Sequence, residues 1–370
     1  MSTFRAALAI GEDGMAAVAA AWADLGPLPA GANLGILYLT EEAGPAFGPA
    51  LRQLRRDSGI ECWIGGIGLG VCGADAEVID RPAASVMVGA LPDDGFRTFR
   101  MDDPASGLAG IDPAWIAGAT PSLGLVHGDP RDRQIVDLVE GVAAGSGAFM
   151  VGGLMSTSAA AVHAAPDPRQ GGVSGALFAA DVALATGLTQ GCQPIGPHRR
   201  VTEAQDNLVI TLDDRPAFEV LLEDIGPELA ADPRRLGGRI FVAFPVRGSD
   251  RADYLVRNLV GFDPDNKVIA VAAPVAPGDT LFFCARDRES ASHDLDRMLV
   301  DLKGRAGGAP KGAIYCTCIA RGPNLFGPDA AELRAIRRAL GDVPIAGVFC
   351  NGEIFHARFY GYTGVLTLFL

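Results

Sequence analysis

The chain lacks the features that nucleic-acid-binding and membrane proteins need. Its 44 acidic and 31 basic residues give a net charge of −13, whereas phosphate backbones and anionic lipid surfaces require a basic face. No apolar run reaches the length of a membrane span. Near the N-terminus, Glu12 and Asp13 interrupt the first apolar stretch, which therefore does not resemble a signal peptide. The sequence predicts a soluble cytoplasmic protein with no nucleic-acid or membrane partner.

Disulfide and metal frameworks are also missing. The seven cysteines are an odd number and lie scattered along the chain, unlike the paired cysteines of small secreted domains. No CxxC pair has a partner pair, and the five histidines show no metal-ligand spacing. We expect reduced thiols and no metal site.

Catalytic signatures are absent as well. The chain has no GxxxxGKS/T phosphate loop and no GxSxG segment, and Ser156–Ser158 have no base near them in sequence. Gly68–Gly73 matches GxGxxG, but the stretch that follows is short and stops at Pro82, where a dinucleotide site needs a helix. This segment is interpreted as a glycine-rich turn. No catalytic residue is assigned.

What the chain does have is the size and composition of a globular protein in two parts. The composition, 49% hydrophobic and 20% charged, is that of an ordinary globular protein. The length of 370 residues is too great for one compact core of usual size. A helix is predicted over Gly11–Ala23 with Asp13 as its cap, and a buried strand over Asn33–Thr40. Further along, Gly175–Phe178 and Val182–Gly187 are spaced like an antiparallel pair.

Polar side chains lie beside glycines and prolines in three segments. Because glycine and proline preset the backbone, the thiols and charges in these segments are expected on tight turns and strand ends. Alternate residues of a strand share a face, so Cys316 and Cys318 are predicted to face one core or one pocket together. The three segments are Thr189–Pro197, Cys316–Gly322 and Gly347–Ile354.

Arg321 and Glu353 each follow a predicted strand, where loops carry binding groups. An arginine holds a carboxylate through two hydrogen bonds, and a glutamate can accept an ammonium. The alternative is that Arg321 and Glu353 pair with each other or with loop backbone. The binding hypothesis predicts that Arg321→Ala weakens ligand binding and leaves folding intact.

One histidine is a candidate for haem ligation. His163 follows a glycine-rich segment and is a possible axial ligand, with a surface or hydrogen-bonded histidine as the alternative. His198 and His356 are weaker candidates for the same role. His356 also follows Glu353 closely enough to share a pocket with it.

Together these motifs resemble the FIST family, a two-part ligand-sensing module found mostly in bacterial signalling proteins. The similarity covers nearly the whole chain, although Cys350 and Asn351 replace the more usual small or aromatic residues. Asp214 stands where the family's LDGKPA turn has glycine. The similar segments are Gln190–Gly196 with Val201–Thr202, Leu212–Ala217, Cys318–Gly322, Val343–Gly347 and Gly352–Ile354.

The resemblance implies an α/β (mixed α+β) architecture with central β-sheets flanked by helices in two interlocking lobes. It implies a FIST N-terminal domain over residues 1–220 and a FIST C-terminal domain over residues 221–370. The expected function is a sensory module that binds an amino acid or related metabolite. With no output domain attached, it would signal through a protein partner. The residues expected at the ligand are Cys192, Cys318, Arg321, Asn351 and Glu353.

Two rival functions stay open. Some FIST members bind haem and respond to nitric oxide, in which case His163 would be the ligand. The other rival is an enzyme that uses a cysteine nucleophile or Glu353 as acid–base group, although no motif supplies a paired base. Selective alkylation of Cys318 would favour the enzyme, because an activated thiolate reacts first.

Overall fold

The computed structural model describes residues 3–158, 163–165, 167–246 and 254–370. Its helices are α1 (Gly14–Leu25), α2 (Phe47–Ser58), α3 (Pro113–Ala119), α4 (Ile135–Ser146), α5 (Ala217–Ala230), α6 (Arg288–Ala306), α7 (Pro323–Phe326) and α8 (Ala331–Leu340). The first half of its strands comprises β1 (Phe4–Ile10), β2 (Leu34–Thr40), β3 (Cys62–Gly68), β4 (Gly70–Gly73), β5 (Ala76–Ile79), β6 (Ala83–Gly89), β7 (Phe96–Met101), β8 (Leu123–Gly128), β9 (Phe149–Met155), β10 (His163–Ala164), β11 (Pro168–Arg169) and β12 (Val173–Phe178). The second half comprises β13 (Leu184–Gln190), β14 (Cys192–Gln205), β15 (Leu208–Leu212), β16 (Arg215–Pro216), β17 (Ile240–Pro245), β18 (Tyr254–Asp263), β19 (Val268–Val271), β20 (Thr280–Arg286), β21 (Gly312–Cys318), β22 (Ile345–Phe355), β23 (Arg358–Tyr360) and β24 (Thr363–Phe369).

The chain divides into two compact units, and the sequence of the second is inserted within that of the first. The first unit contains Met1–Thr189 and Leu295–Leu370, and the second contains Gln190–Asp294. These limits describe compactness in space, and the domain limits at residues 220 and 221 stay a prediction. The mixed α+β fold with central sheets flanked by helices is confirmed.

One sheet of the first unit has six strands in the order β1-β6-β2-β3-β10-β11. Only β2 and β3 run parallel, and their neighbours are antiparallel. Helices α1 and α2 cover one face, where Val18 and Leu51 pack with Leu37 and Trp63. Helix α1 begins at its predicted cap, because the Asp13 carboxylate accepts a 2.8 Å hydrogen bond from the Ala16 N–H.

The other sheet of the first unit has eleven strands, eight of them in the order β13-β24-β21-β22-β9-β8-β12-β7. The pairs β21–β22 and β8–β9 are parallel. Helices α6 and α8 pack on β21, β22 and β24, and α4 packs on β8, β9 and β12. Short strands β4 and β23 pair with β22, and β5 joins the sheet through β4.

The two sheets of the first unit face each other. The Tyr38 hydroxyl of β2 lies 2.8 Å from Nε2 of His127 on β8, and the Phe4 and Phe369 rings stack at 4.4 Å between centroids. The first unit therefore has four layers, with helices outside two stacked sheets. Strand β22 lies in the centre of the larger sheet, and its inner side chains belong to the layer between the sheets.

The second unit is a seven-stranded sheet that closes on itself. Its order is β14-β20-β17-β18-β19-β15-β16, and β14 also pairs with β15. The fourteen-residue strand β14 pairs with β20 along its first part and with β15 along its last part. Helix α5 fills the interior with Phe218 and Leu221 against Val242 and Phe283.

One predicted strand pairing was wrong, and one strand was not predicted. The segment Gly175–Phe178 does not pair with Val182–Gly187, since β12 pairs with β7 and β8 while β13 lies beside β24. The segment before α1 is a strand, β1, and the pattern gave no sign of it. The interpretation of Gly68–Gly73 as a turn was also wrong, because the segment lies mostly in strands β3 and β4, with no helix after it. Among the described residues, no helix is both long and apolar enough to cross a membrane.

Candidate functional site

Strands β21 and β22 bring together most of the predicted ligand-binding residues. Cys318 ends β21 and lies beside Cys350 of β22 in parallel register. Arg321 follows in a tight turn, where its N–H donates to the Cys318 carbonyl at 2.8 Å. Asn351 and Glu353 belong to β22 itself. These four predicted residues therefore lie on two adjacent strands of the first unit and on the turn that follows the first of them.

Cys192 belongs to the second unit. It is the first residue of β14 and is buried there. The Tyr254 hydroxyl donates to its carbonyl oxygen at 2.5 Å. The placement of Cys192 at the same ligand as the other four residues stays a prediction.

A β-bulge in β22 decides where Asn351 and Glu353 lie. The pairing of β22 with β9 shifts between Cys350 and Glu353. Gly352 within the bulge has φ +115°, a conformation that glycine adopts without strain. Asn351 is exposed and Glu353 is fully buried. The bulge therefore separates a solvent-facing amide from a buried acid two residues away.

Glu353 has a protein partner on only one of its carboxyl oxygens. Oε2 accepts hydrogen bonds from the Thr363 N–H at 3.2 Å and the Thr363 hydroxyl at 2.6 Å. Oε1 has no partner with hydrogen-bond geometry among the described residues. Burial raises the pKa of Glu353 to about 8, although Thr363, Arg321 and the Gly352 N–H lower it in part. At neutral pH the group is mostly protonated, and one oxygen is still without a partner.

Cys318 lies close enough to Glu353 for their charges to interact. Its side chain is 7% exposed. Burial first, and then the Glu353 carboxylate, raise the pKa of the Cys318 thiol to about 12. A thiol that stays protonated is a poor nucleophile. The environment of Cys318 therefore suits contact with a ligand better than covalent catalysis.

Arg321 pairs with a residue that the sequence did not indicate. Its Nε and Nη2 donate to Oε1 of Glu332 at 2.9 and 2.5 Å, and both side chains are 0% exposed. Nη1 donates to the Tyr362 carbonyl at 3.4 Å, and the guanidinium lies over the Phe326 ring. The alternative hypothesis, that Arg321 is paired within the protein, was right, but the partner of Arg321 is Glu332 and not Glu353 or backbone alone. The fork that was expected to hold a ligand carboxylate is occupied.

Further polar groups surround this ion pair. The Tyr315 hydroxyl donates to Oε1 of Glu332 at 2.5 Å, and Oε2 of Glu332 has no partner among the described residues. Burial first, and then Glu332, raise the pKa of nearby Glu77 to about 8. One signal for Glu332 existed: it stands four residues before Ile336 and eight before Leu340, on the apolar stripe of α8.

The layer between the two sheets carries a further polar group of side chains. The Cys350 thiol donates to the Val348 carbonyl at 3.7 Å, and Cys316 interacts with both Cys350 and Tyr38. Burial raises the pKa of Tyr38 and of Cys350 well above their ordinary values. Nδ1 of His127, beside Tyr38, has no partner among the described residues. Tyr38 and Cys350 therefore stay neutral at physiological pH.

His163 does not fit a haem ligand. It is fully buried, with Nδ1 2.6 Å from the Ser174 hydroxyl and Nε2 3.0 Å from the Gly171 carbonyl. Burial lowers its pKa to about 4. An axial ligand needs a ring nitrogen directed at the iron, and both nitrogens here have protein partners. His163 matches the hydrogen-bonded alternative.

The other two histidines that were candidates for haem ligation are exposed. His198 stacks on Phe282 at 4.8 Å between ring centroids, and His356 stacks on Phe149 at 5.0 Å. Because His356 is exposed and Glu353 is fully buried, the structure does not place them in a common buried pocket.

Fold and site together define a two-unit α+β protein. The central strand of its larger sheet carries a buried glutamate, Glu353, with a hydrogen-bond partner on only one carboxyl oxygen among the described residues. Two family models match this chain: the FIST N domain over residues 33–215 and the FIST C domain over residues 217–356. The chain belongs to the FIST family. FIST domains are sensory domains of signal transduction.

The chain is also similar to uncharacterised bacterial proteins. Proteins of Mycobacterium tuberculosis and Mycobacterium bovis are 32% identical to it over 192 residues, which is 50% of this chain and 50% of each relative. The chain thus spans about half the length of the curated relatives it matches.

Proposed function

We propose that the protein is a sensory module whose first unit binds a small molecule carrying a protonated amino group. Glu353 accepts the ammonium, Cys318 borders the buried part of the site, and Asn351 stands on its solvent-exposed side. The observation that carries the proposal is Oε1 of Glu353, a fully buried oxygen without a hydrogen-bond partner among the described residues.

The energetics favour a donor at this position. A buried acceptor without a donor costs about 1–3 kcal/mol. An ammonium supplies three N–H donors and a positive charge, and a charge-assisted hydrogen bond is about twice as strong as a neutral one. A bound cation would also hold Glu353 ionised, although burial raises its pKa to about 8. Binding is therefore coupled to loss of a proton from Glu353.

An amino acid or a related metabolite suits the surrounding groups. The exposed Asn351 amide, two residues before Glu353, offers N–H donors to a ligand carboxylate. Arg321 is unsuited to that role, because Glu332 holds its guanidinium. We assign Arg321 to positioning the turn that follows β21.

The backbone at residues 362 and 363 offers a way to couple occupancy to structure. Thr363 donates to Glu353 through its N–H and hydroxyl, and the preceding Tyr362 carbonyl accepts from Arg321. Tyr362 has φ +64°, a strained value for an aromatic residue. Ionisation of Glu353 by a ligand would strengthen its hydrogen bonds from Thr363 and so act on this segment. A protein partner that reads the change is part of the proposal.

Two measurements test the proposal. Native mass spectrometry of freshly purified protein, compared with its denatured mass, would show a surplus of amino-acid size. Thermal-shift screening would then compare each L-amino acid with the matching carboxylic acid that lacks the amino group. Only the amino compound should stabilise the protein, and Glu353→Gln should abolish the effect. Glu140→Gln, at an exposed acid of the first unit, is the matched control. A response to both compounds, or an unchanged response in Glu353→Gln, contradicts the proposal, and a surplus of haem size would favour the nitric-oxide sensor.

A second candidate function is acid–base catalysis by Glu353. The pKa of about 8 favours it, because a general acid or base works best near the operating pH. Chromatography with mass detection of a bound compound before and after incubation separates the two functions. Complete recovery supports the sensor, and conversion that Glu353→Gln abolishes supports the enzyme.

A further inference from the structure

Two cysteines of the second unit lie side by side on neighbouring antiparallel strands. In the pairing of β14 with β20, Cys192 is opposite Arg286 and Pro194 is opposite Cys284. The two cysteines are therefore offset by two residues and share one face of the sheet. Interaction with Cys192 is the largest cause that raises the pKa of the Cys284 thiol. All seven cysteines are free thiols in the structure.

We propose that Cys192 and Cys284 form a disulfide when the protein meets a peroxide, which makes the β14–β20 pair a redox-modification site. Cys192 is 5% exposed and Cys284 is 0% exposed, so a small oxidant reaches Cys192 before Cys284. The chemistry needs no group beyond the two thiols and the peroxide.

The reaction balances in two steps. The Cys192 sulfur, losing its proton, attacks the O–O bond of hydrogen peroxide, which gives a sulfenic acid and one water molecule. The Cys284 sulfur then attacks that sulfenic sulfur, loses its own proton and releases the second water. In total two thiols and one peroxide give one disulfide and two waters. Each sulfur loses one electron, and the peroxide oxygens gain two.

The position of the pair favours a reversible bond. Diagonal neighbours in an antiparallel sheet have Cα atoms about 7–8 Å apart, whereas most disulfides join Cα atoms about 5.5–6 Å apart. The bond would draw β14 towards β20 and store strain. Strained disulfides are reduced more easily than relaxed ones. A thiol reductant should therefore restore both cysteines.

The bond would act on the start of the family's central motif. Cys192 opens β14 within Gln190–Gly196, its carbonyl accepts from Tyr254 at the start of β18, and the Gln190 side chain donates to the Tyr254 carbonyl at 2.9 Å. A shift of Cys192 towards β20 would change these contacts. Oxidation would thus alter the second unit without any step that involves Glu353.

The chain offers an internal comparison. Cys316 and Cys350 also interact, but they are 1% and 0% exposed between the two sheets of the first unit. Because peroxide has no access comparable to that at Cys192, this pair should stay reduced. It serves as a matched control, because its two cysteines interact but are not accessible to peroxide.

Thiol counting on the intact protein tests the inference. After treatment with hydrogen peroxide and alkylation in denaturant, the mass should show two fewer alkylated thiols than in the untreated protein, and tris(carboxyethyl)phosphine should restore them. Digestion should yield one cross-linked peptide pair joining Cys192 and Cys284. Cys192→Ser and Cys284→Ser should each abolish the cross-link, whereas Cys316→Ser should leave it. An unchanged thiol count in the wild type, or a cross-link joining other cysteines, would overturn the inference. The peptide map of the wild-type protein decides it even if a variant fails to fold.

Discussion

Arg321 and Glu332 form an ion pair in which both side chains have no solvent exposure. Tyr315 donates to the same oxygen of Glu332 that receives two hydrogen bonds from Arg321. Burial acts to lower the pKa of Arg321, but Glu332 outweighs it and leaves that pKa above its ordinary value. The pair joins the turn after β21 to helix α8. It is thus a structural contact beside the proposed ligand site.

The first prediction concerns the stability of Arg321→Ala. Removal of one partner leaves a charge buried without compensation, which costs about 3–5 kcal/mol. Urea denaturation should show a loss of that size. Arg215→Ala, which breaks the exposed contact with Glu223, should cost much less, because an exposed ion pair contributes little to stability. A small loss in Arg321→Ala would mean that the pair is not buried. This expectation replaces the earlier one that Arg321→Ala leaves folding intact.

The second prediction concerns pH and Glu353. Its folded pKa of about 8 lies above the value of 4.5 for an unperturbed glutamate. Between these values the folded chain holds a proton that the unfolded chain has lost, so stability falls as pH rises. The slope from one such group is about −1.4 kcal/mol per pH unit. In Glu353→Gln, urea titrations from pH 5 to 8 should show a slope that is less negative by about this amount. Identical slopes in variant and wild type would contradict the raised pKa.

The third prediction concerns thiol reactivity. With its pKa raised to about 12, Cys318 should react with iodoacetamide at pH 8 more slowly than partly exposed Cys62. Glu353→Gln should speed the labelling of Cys318, because it removes the negative charge that disfavours the thiolate. Peptide mapping against time gives both rates. If Cys318 were labelled first, the thiol would be activated, and the enzyme hypothesis would gain.

The fourth prediction concerns the layer between the sheets. Tyr38→Phe removes the partner of His127 Nε2, and Nδ1 of the same ring has no partner among the described residues. We expect a loss of about 1–3 kcal/mol in urea. Tyr254→Phe, at a hydroxyl bound to the Cys192 carbonyl, is the comparison and should cost about 1 kcal/mol. A neutral Tyr38→Phe would show that the contact with His127 does not contribute to stability.

Local sequence signals predicted local structure. Asp13 caps α1 because its side chain reaches an N–H three residues away. The pairing of β12 and β13 failed for the opposite reason. Strand β13 lies beside β24, with the Thr186 and Thr367 hydroxyls 3.1 Å apart across 181 positions of sequence. Spacing between neighbouring segments carries no information on such a contact.

The candidate site shows the same difference between local structure, which the sequence predicts, and distant contacts, which it does not. The prediction of a strand end was right for Cys318 and Arg321 at the end of β21, and wrong for Glu353, which lies inside the adjacent strand β22. The partners of these residues, Glu332 on α8 and Thr363 on β24, come from other elements. Their roles depend on how α8 and β24 pack on the sheet, and a single sequence does not specify that packing.

The most direct test of the central claim is the pH dependence of binding. Isothermal titration should use the amino acid that gives the largest thermal shift, with wild-type protein and Glu353→Gln between pH 6 and 8. If the ammonium binds ionised Glu353, affinity should rise by up to about tenfold per pH unit towards pH 8, with one proton released for each ligand bound. Glu353→Gln should bind weakly and without pH dependence. Wild-type affinity that is flat across this range, or tight binding by Glu353→Gln, would contradict the assignment of Glu353 as the ligand's acceptor.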